Sequence, residues 1–163
     1  MQTGLIIGLL AGMLQAATAQ DPPAPVIVCF KNPDALNRDI LISAEHTLRR
    51  VEKRLGAPIR TVYGDCPQIR AFVVGFVANP PAIHPPDVLG ATRTAGDAIL
   101  PDTRIFFRAA AAMLRNPSDQ NQGIALGNII AHELYHYLKQ TRHHDGSDLN
   151  CEFLTERQLL ATR

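Results

Sequence analysis

The sequence predicts an α+β domain in which helices pack on a small mixed β-sheet. Two observations carry that prediction. Short β-branched or apolar runs alternate with helical patterns in the order strand, helix, strand, strand, strand, helix, helix. One helical pattern has a single apolar face and the other is apolar almost throughout, so both need a sheet or a second helix to bury against.

Each element has its own signal. Asp21-Pro22-Pro23-Ala24-Pro25 is a stiff, extended lead-in. Residues 26–30 form a β-branched run, the first strand, and Asn32-Pro33-Asp34 punctuates the chain after it. From 39 to 55, Ile40, Ala44, Leu48, Val51 and Leu55 recur at spacings of four, four, three and four, which is one helical face. Arg49, Arg50, Glu52 and Lys53 fall outside that face; Gly56 stands at the C-cap position and Pro58 blocks continuation. Residues 59–63 read as the second strand and 70–78 as the third. The third is apolar enough to be buried on both faces, and its Gly75 marks a bulge or a close backbone approach.

Residues 79–87 hold four prolines around Ile83 and His84, a stiff surface loop. Gly90, Gly96 and Pro101 make 88–102 irregular or weakly extended. Residues 104–107 read as a fourth strand, 109–114 as a short helix and 116–123 as a polar loop. Residues 124–139 form a strongly apolar helix. Gly127 costs it about 1 kcal/mol relative to Ala, which points to tight packing there. Ser147 or Asp148 caps a last helix over 151–161.

The chain has 163 residues, enough for one domain. Residues 1–19 carry no charge, are mostly apolar over 5–14, and end in the small-x-small pattern Ala17-Thr18-Ala19. That is the pattern of a secretory signal peptide cut before Gln20, and it predicts a secreted or periplasmic protein with no membrane anchor after processing. The stretch is short for a bilayer span and is broken by Gly8, Gly12 and Gln15. Residues 20–163 then form a single domain, long enough to bury about 68–70% of its unfolded surface. Sixteen Lys+Arg against fifteen Asp+Glu, a net charge of +1, argues against an electrostatic nucleic-acid binder. The absence of Trp argues against a stacking platform for bases or sugars. Cys29, Cys66 and Cys151 suit one disulfide and one remaining thiol in an oxidising compartment, with three pairings open.

The chemistry lies in His132-Glu133-Leu134-Tyr135-His136, inside the apolar helix. Histidines at i and i+4 project from one helix face, and each offers a nitrogen to one zinc ion at about 2.0–2.1 Å. Glu133 follows the first histidine and suits a general base acting on water rather than a ligand. Zinc lowers the pKa of a coordinated water to about 7 and polarises a carbonyl. A third ligand must come from beyond the helix: His143, His144, Asp145, Glu152 and Glu156 are the candidates. A metzincin would have Gly at 139 and His at 142, where this chain has Lys139 and Arg142, and no Met follows Met113 to make a Met-turn. Among other residues, His143 suits a hydrogen-bond donor or an exposed side chain, and Tyr135 and Tyr137 suit the core. His84 suits a cleft rim or the surface, and His46 the solvated face of its helix. Arg142 suits a substrate carboxylate or the helix dipole.

The stretch from Ala125 to His144 resembles a family of small secreted bacterial zincin-like, metzincin-related metallopeptidases. Their motif is His-Glu-x-x-His-x-Leu-x-x-Thr-x-x-His, followed by Gly-hydrophobic and then Leu-(Ser/Thr)-x-x-(Asp/Gln)-Leu. Leu138, Thr141 and His144 fall at the matching places, as do Leu149, Leu154, Thr155, Gln158 and Leu159. Asp148 stands where the pattern has Gly. The likeness is specific over 123–160 and only topological before it. It implies a zincin-like fold and one zinc per chain on His132, His136 and His144. It also implies Glu133 as general base and a peptide or protein substrate. The apolar strand over 70–78 is a candidate for the edge along which an extended peptide pairs. The alternative is a non-catalytic zinc-binding module of the same shape, serving stability or partner binding.

Overall fold

In the computed structural model, residues 24–66, 71–85, 87–144, 146 and 154–161 are described. The predicted signal peptide, Cys151, Asp145, Glu152 and the predicted caps Ser147 and Asp148 lie outside them. The described residues form an α+β structure on one five-stranded sheet of order β2-β1-β3-β5-β4. The strands are β1 (Val26–Phe30), β2 (Ile59–Tyr63), β3 (Ala71–Val77), β4 (Gly90–Ala95) and β5 (Ala98–Phe106). β1 pairs in parallel with β2 and β3, β3 pairs in parallel with β5, and β4 alone runs antiparallel, against β5.

The first helical pattern forms as α1 (Arg38–Arg50) and a further turn, α2 (Glu52–Leu55). The Asn37 side chain caps α1 by accepting from the Asp39 N–H, and Gly56 ends α2 at φ 76°. The single helix expected over 39–55 breaks at Val51, but all five residues of its apolar face are buried. They pack on Val28, Phe30, Phe72, Val74 and Phe76 of the sheet and on Leu126, Ile129, Ile130 and Leu134 of the long helix. The Cys29–Cys66 disulfide decides among the open pairings. It closes a loop long enough to stabilise the fold by about 3–4 kcal/mol through the unfolded chain.

Three expectations need correction. First, of the two readings of 88–102, irregular or weakly extended, the extended one holds and is stronger than expected: β4 and most of β5 lie there as a hairpin turning at Gly96, φ 58°. Pro101, which argued against a strand, is absorbed by a register shift between Thr92 and Thr94, where a missing N–H breaks no ladder. Second, the strand expected over 70–78 is not an edge. β3 lies between β1 and β5, and the edges are β2 and β4. Gly75 sits in unbroken pairing with Arg104, and a Cβ there would meet only an ordinary contact, 3.7 Å from the Thr103 carbonyl oxygen. Third, the long helix α4 (Asp119–Lys139) starts five residues before the expected 124, on the Ser118 side-chain cap. A short helix α3 (Phe107–Ala112) precedes it.

α1 and α4 run side by side in the same direction. Asn37 Nδ2 donates to Asp119 Oδ2 at 2.7 Å where both helices begin. Contact between them requires glycine: a Cβ at Gly123 would sit 2.3 Å from Ser43 Cβ, and one at Gly127 would sit 2.6 Å from Thr47 Cβ. This is the tight packing that Gly127 predicted. Gly123 belongs to the same face, which explains a glycine in what reads as a loop.

The last described helix, α5 (Glu156–Leu159), is shorter than expected and is opened by a capping box between Thr155 and Gln158. Its end is tied to α4 by Asn128, whose Nδ2 donates to the carbonyls of Leu159 (2.8 Å) and Ala161 (3.1 Å). No helix among the described residues is long and apolar enough to cross a membrane.

Candidate metal centre

α4 carries His132, Glu133 and His136 at its C-terminal half, all three buried at 8% exposure. After Lys139 the chain reverses at Gln140 (φ 47°, ψ 43°), and His144 returns, half-buried, to the same point. His136 Nε2 lies 3.0 Å from His132 Nε2 and 3.1 Å from His144 Nε2. The three ligand atoms all lie within 4.8 Å of one another. The rings of His132 and His144 are nearly parallel, and the His136 ring stands at 88° to both.

Donor chemistry tests whether a cation fits. His136 Nδ1 is 2.7 Å from the carbonyl oxygen of Thr141, which can only accept, so Nδ1 carries the proton and Nε2 a lone pair. Burial, then the charge of His132, lowers the His136 pKa and favours that neutral form. The His136 nitrogen therefore stands from the other two at separations close to the edge of a tetrahedron, about 3.3 Å for zinc–nitrogen bonds of about 2.05 Å. The cluster can bind a metal ion, and the Thr141 carbonyl is the kind of partner that orients a ligating imidazole.

Glu133 points to the side. The Thr92 hydroxyl, on edge strand β4, donates to Glu133 Oε2 at 2.6 Å. Gly90 on the same strand leaves the space the carboxylate occupies, since a Cβ there would stand 2.8 Å from Glu133 Oε1. Burial raises the Glu133 pKa against the opposing pull of Thr92, His136 and His144. Thr103 lies opposite Thr92 in the β4–β5 ladder, with its hydroxyl buried and without a hydrogen-bond partner.

A cavity of about 540 Å³ opens over these residues. Val88, Ile99, Met113, Ile129 and Leu154 give it apolar lining, and Thr94 and Arg142 add polar groups.

Of the residues read from the sequence, the fold brings His132, His136, His144 and Glu133 together. His143 is exposed, and its backbone N–H donates to Thr141 Oγ1. Glu156 is engaged elsewhere, accepting from the Arg115 N–H at 2.7 Å and facing its guanidinium at 3.3 Å. Tyr137 stacks on Phe72 in the core, and His46 is exposed. His84 packs beside Phe106 and does not line the cavity. Arg142 lines it while donating to the Gly96 carbonyl. Thr92, Asn128 and Gln140 were not singled out by the sequence, and Gly90 was read only as a breaker, because their roles arise only when β4, β5 and α5 are brought against α4. Comparison with protein-family models, with curated proteins and with solved structures finds no match.

Proposed function

We propose that this chain is a secreted zinc-dependent peptidase of zincin-like build, with His132, His136 and His144 as the metal ligands and Glu133 as general base. The observation that carries the reading is Glu133: a buried carboxylate beside the histidine cluster, held by Thr92, facing a cavity. A purely structural metal site has no use for such a group. Zinc bound there would supply a Lewis acid that brings the pKa of a coordinated water toward neutrality and polarises a substrate carbonyl.

The protein's own part follows from its geometry. The Thr92 hydroxyl fixes one carboxylate oxygen of Glu133, so the group is aimed before substrate arrives. Its raised pKa suits a residue that takes a proton and returns it to a leaving amine. The His136 imidazole is favoured in its neutral form and is oriented by the Thr141 carbonyl. β4, the edge strand lining the cavity, offers unpaired backbone along which an extended peptide can add as a further strand. The apolar lining of the cavity suits a non-polar side chain of that peptide.

The alternative, a non-catalytic zinc module, predicts the metal without turnover. Zinc-loaded chain starting at Gln20, incubated with a library of quenched fluorescent peptides, separates the two. Cleavage that is lost in Glu133→Ala while zinc is retained supports the peptidase. No cleavage of any peptide by zinc-loaded protein refutes it.

A further inference from the structure

Gln140 is the only non-glycine residue among those described with a positive φ. Left-handed backbone costs an L-residue about 1–2 kcal/mol, and glycine or asparagine is the usual choice at this C-cap position. The side chain shows what glutamine contributes instead. Gln140 Oε1 accepts from the Ile99 N–H at 3.0 Å, and Nε2 donates to the Ile99 carbonyl at 3.0 Å and to the Tyr137 carbonyl at 2.7 Å. One amide thus engages both backbone groups of one β5 residue. It does so where β5 needs a neighbour: β3 pairs with β5 only from Asp102 to Phe106, which leaves the edge at Ile99 uncovered. Two residues on, the Arg142 guanidinium donates to the Gly96 carbonyl at the hairpin turn. Between them Thr141 is bonded back to His136, through its carbonyl to the ring and through its N–H to the His136 carbonyl at 3.2 Å. The segment is therefore stitched alternately to the hairpin and to α4 before it delivers His144.

We propose that Gln140 is a positioning residue that ties the third metal ligand to the β4–β5 hairpin, so that metal binding and ordering of the cleft wall are one linked equilibrium. The inference rests on the metal reading of the histidine cluster but not on catalysis. Linkage is reciprocal: whatever holds the hairpin strengthens metal binding, and the metal in turn holds the strand that carries Thr92. Residues that orient metal ligands from outside the coordination sphere are commonly worth about 10–100-fold in affinity.

The test is zinc titration against a chromophoric chelator, with backbone hydrogen exchange over 90–106, on the whole chain from Gln20. Gln140→Gly keeps the left-handed turn easy and removes only the amide. Wild-type protein should show slower exchange at Ile99 and along the hairpin when zinc is bound. Gln140→Gly should bind zinc about 10–100-fold more weakly, and zinc should no longer slow the hairpin. In a His144→Ala background the same substitution should cost no further affinity, whereas a merely structural role would cost the same in both backgrounds. Arg142→Gln removes the second stitch and should show a smaller loss of the same kind; it decides the matter if Gln140→Gly fails to fold. Wild-type affinity in the folded Gln140→Gly variant, or hairpin protection that still rises with zinc, overturns the proposal. Wild-type protein that takes up no zinc overturns the metal reading and this inference together.

Discussion

Gly90→Ala adds one methyl group at the wall that holds Glu133. The new Cβ would stand 2.8 Å from Oε1 and 3.1 Å from both Cδ and Cγ, where an ordinary contact begins at 3.4 Å. The carboxylate must retreat, by roughly half an ångström on the scale where a 1 Å misplacement costs about 100-fold. The Thr92 bond, now 2.6 Å, must lengthen or re-form as the carboxylate moves. The expected result is a fall in kcat of about tenfold, rising toward 100-fold if the Thr92 bond is lost. Zinc stoichiometry should not change, because Glu133 and not a histidine is the atom group that meets the new Cβ. Metal analysis and hydrolysis of the best peptide substrate are measured on the same preparation. Thr92→Val should show a comparable fall, and Thr92→Ser, which restores a hydroxyl, should recover most of it. Full activity in Gly90→Ala would refute the claim that Glu133 is aimed by β4. Loss of zinc in Gly90→Ala would refute the separation of base from ligands.

Other outcomes follow from the same geometry. Burial raises the folded-state pKa of Glu133, so its contribution favours folding below the ordinary carboxylate pKa and is lost as pH rises through the raised value. Metal-free Glu133→Gln should therefore gain in Tm over metal-free wild type on going from acid to neutral pH, by about 2–4 °C per kcal/mol recovered; a difference that does not change with pH contradicts this. His143→Ala should keep its zinc affinity and His144→Ala should bind zinc more weakly, read by metal titration; the reverse result reassigns the third ligand. Gly127→Ala should destabilise the fold by about 1–3 kcal/mol in urea despite a better helix propensity, because the Cβ would meet Thr47 Cβ at 2.6 Å and the Ala44 carbonyl at 2.8 Å. A stabilised variant would mean that α1 yields at little cost.

Elements with a local signal were legible. The five-residue apolar face ending at Gly56, the β-branched strands at 26–30 and 59–63, and the His-x-x-x-His spacing on a helix each follow from short-range geometry. The hairpin was not legible, because two glycines and a proline carry strong turn signals. Only pairing with β3 and a register shift at Thr92/Thr94 override them. The early start of α4 was hidden by Gly123, whose reason is the α1 backbone at Ile40, far away in sequence. The edge strand was misassigned for a related reason: an apolar run such as β3 signals burial, and burial on both faces is what an interior strand has. At the site, His144 was chosen over His143 by resemblance and not by spacing, since the direction of side chains after a helix end depends on the turn. Here that turn is set by Gln140 and its bonds to Ile99.

Zinc content decides the central claim most directly. Chain from Gln20 is purified without added chelator, equilibrated with zinc, freed of excess metal and analysed by mass spectrometry of the metal, beside His132→Ala and His136→Ala. The account predicts one zinc per wild-type chain at neutral pH, release on acidification as protons compete for the imidazoles, and no stoichiometric zinc in either variant. Folded wild-type protein without zinc, or full zinc retention in either variant, would contradict it.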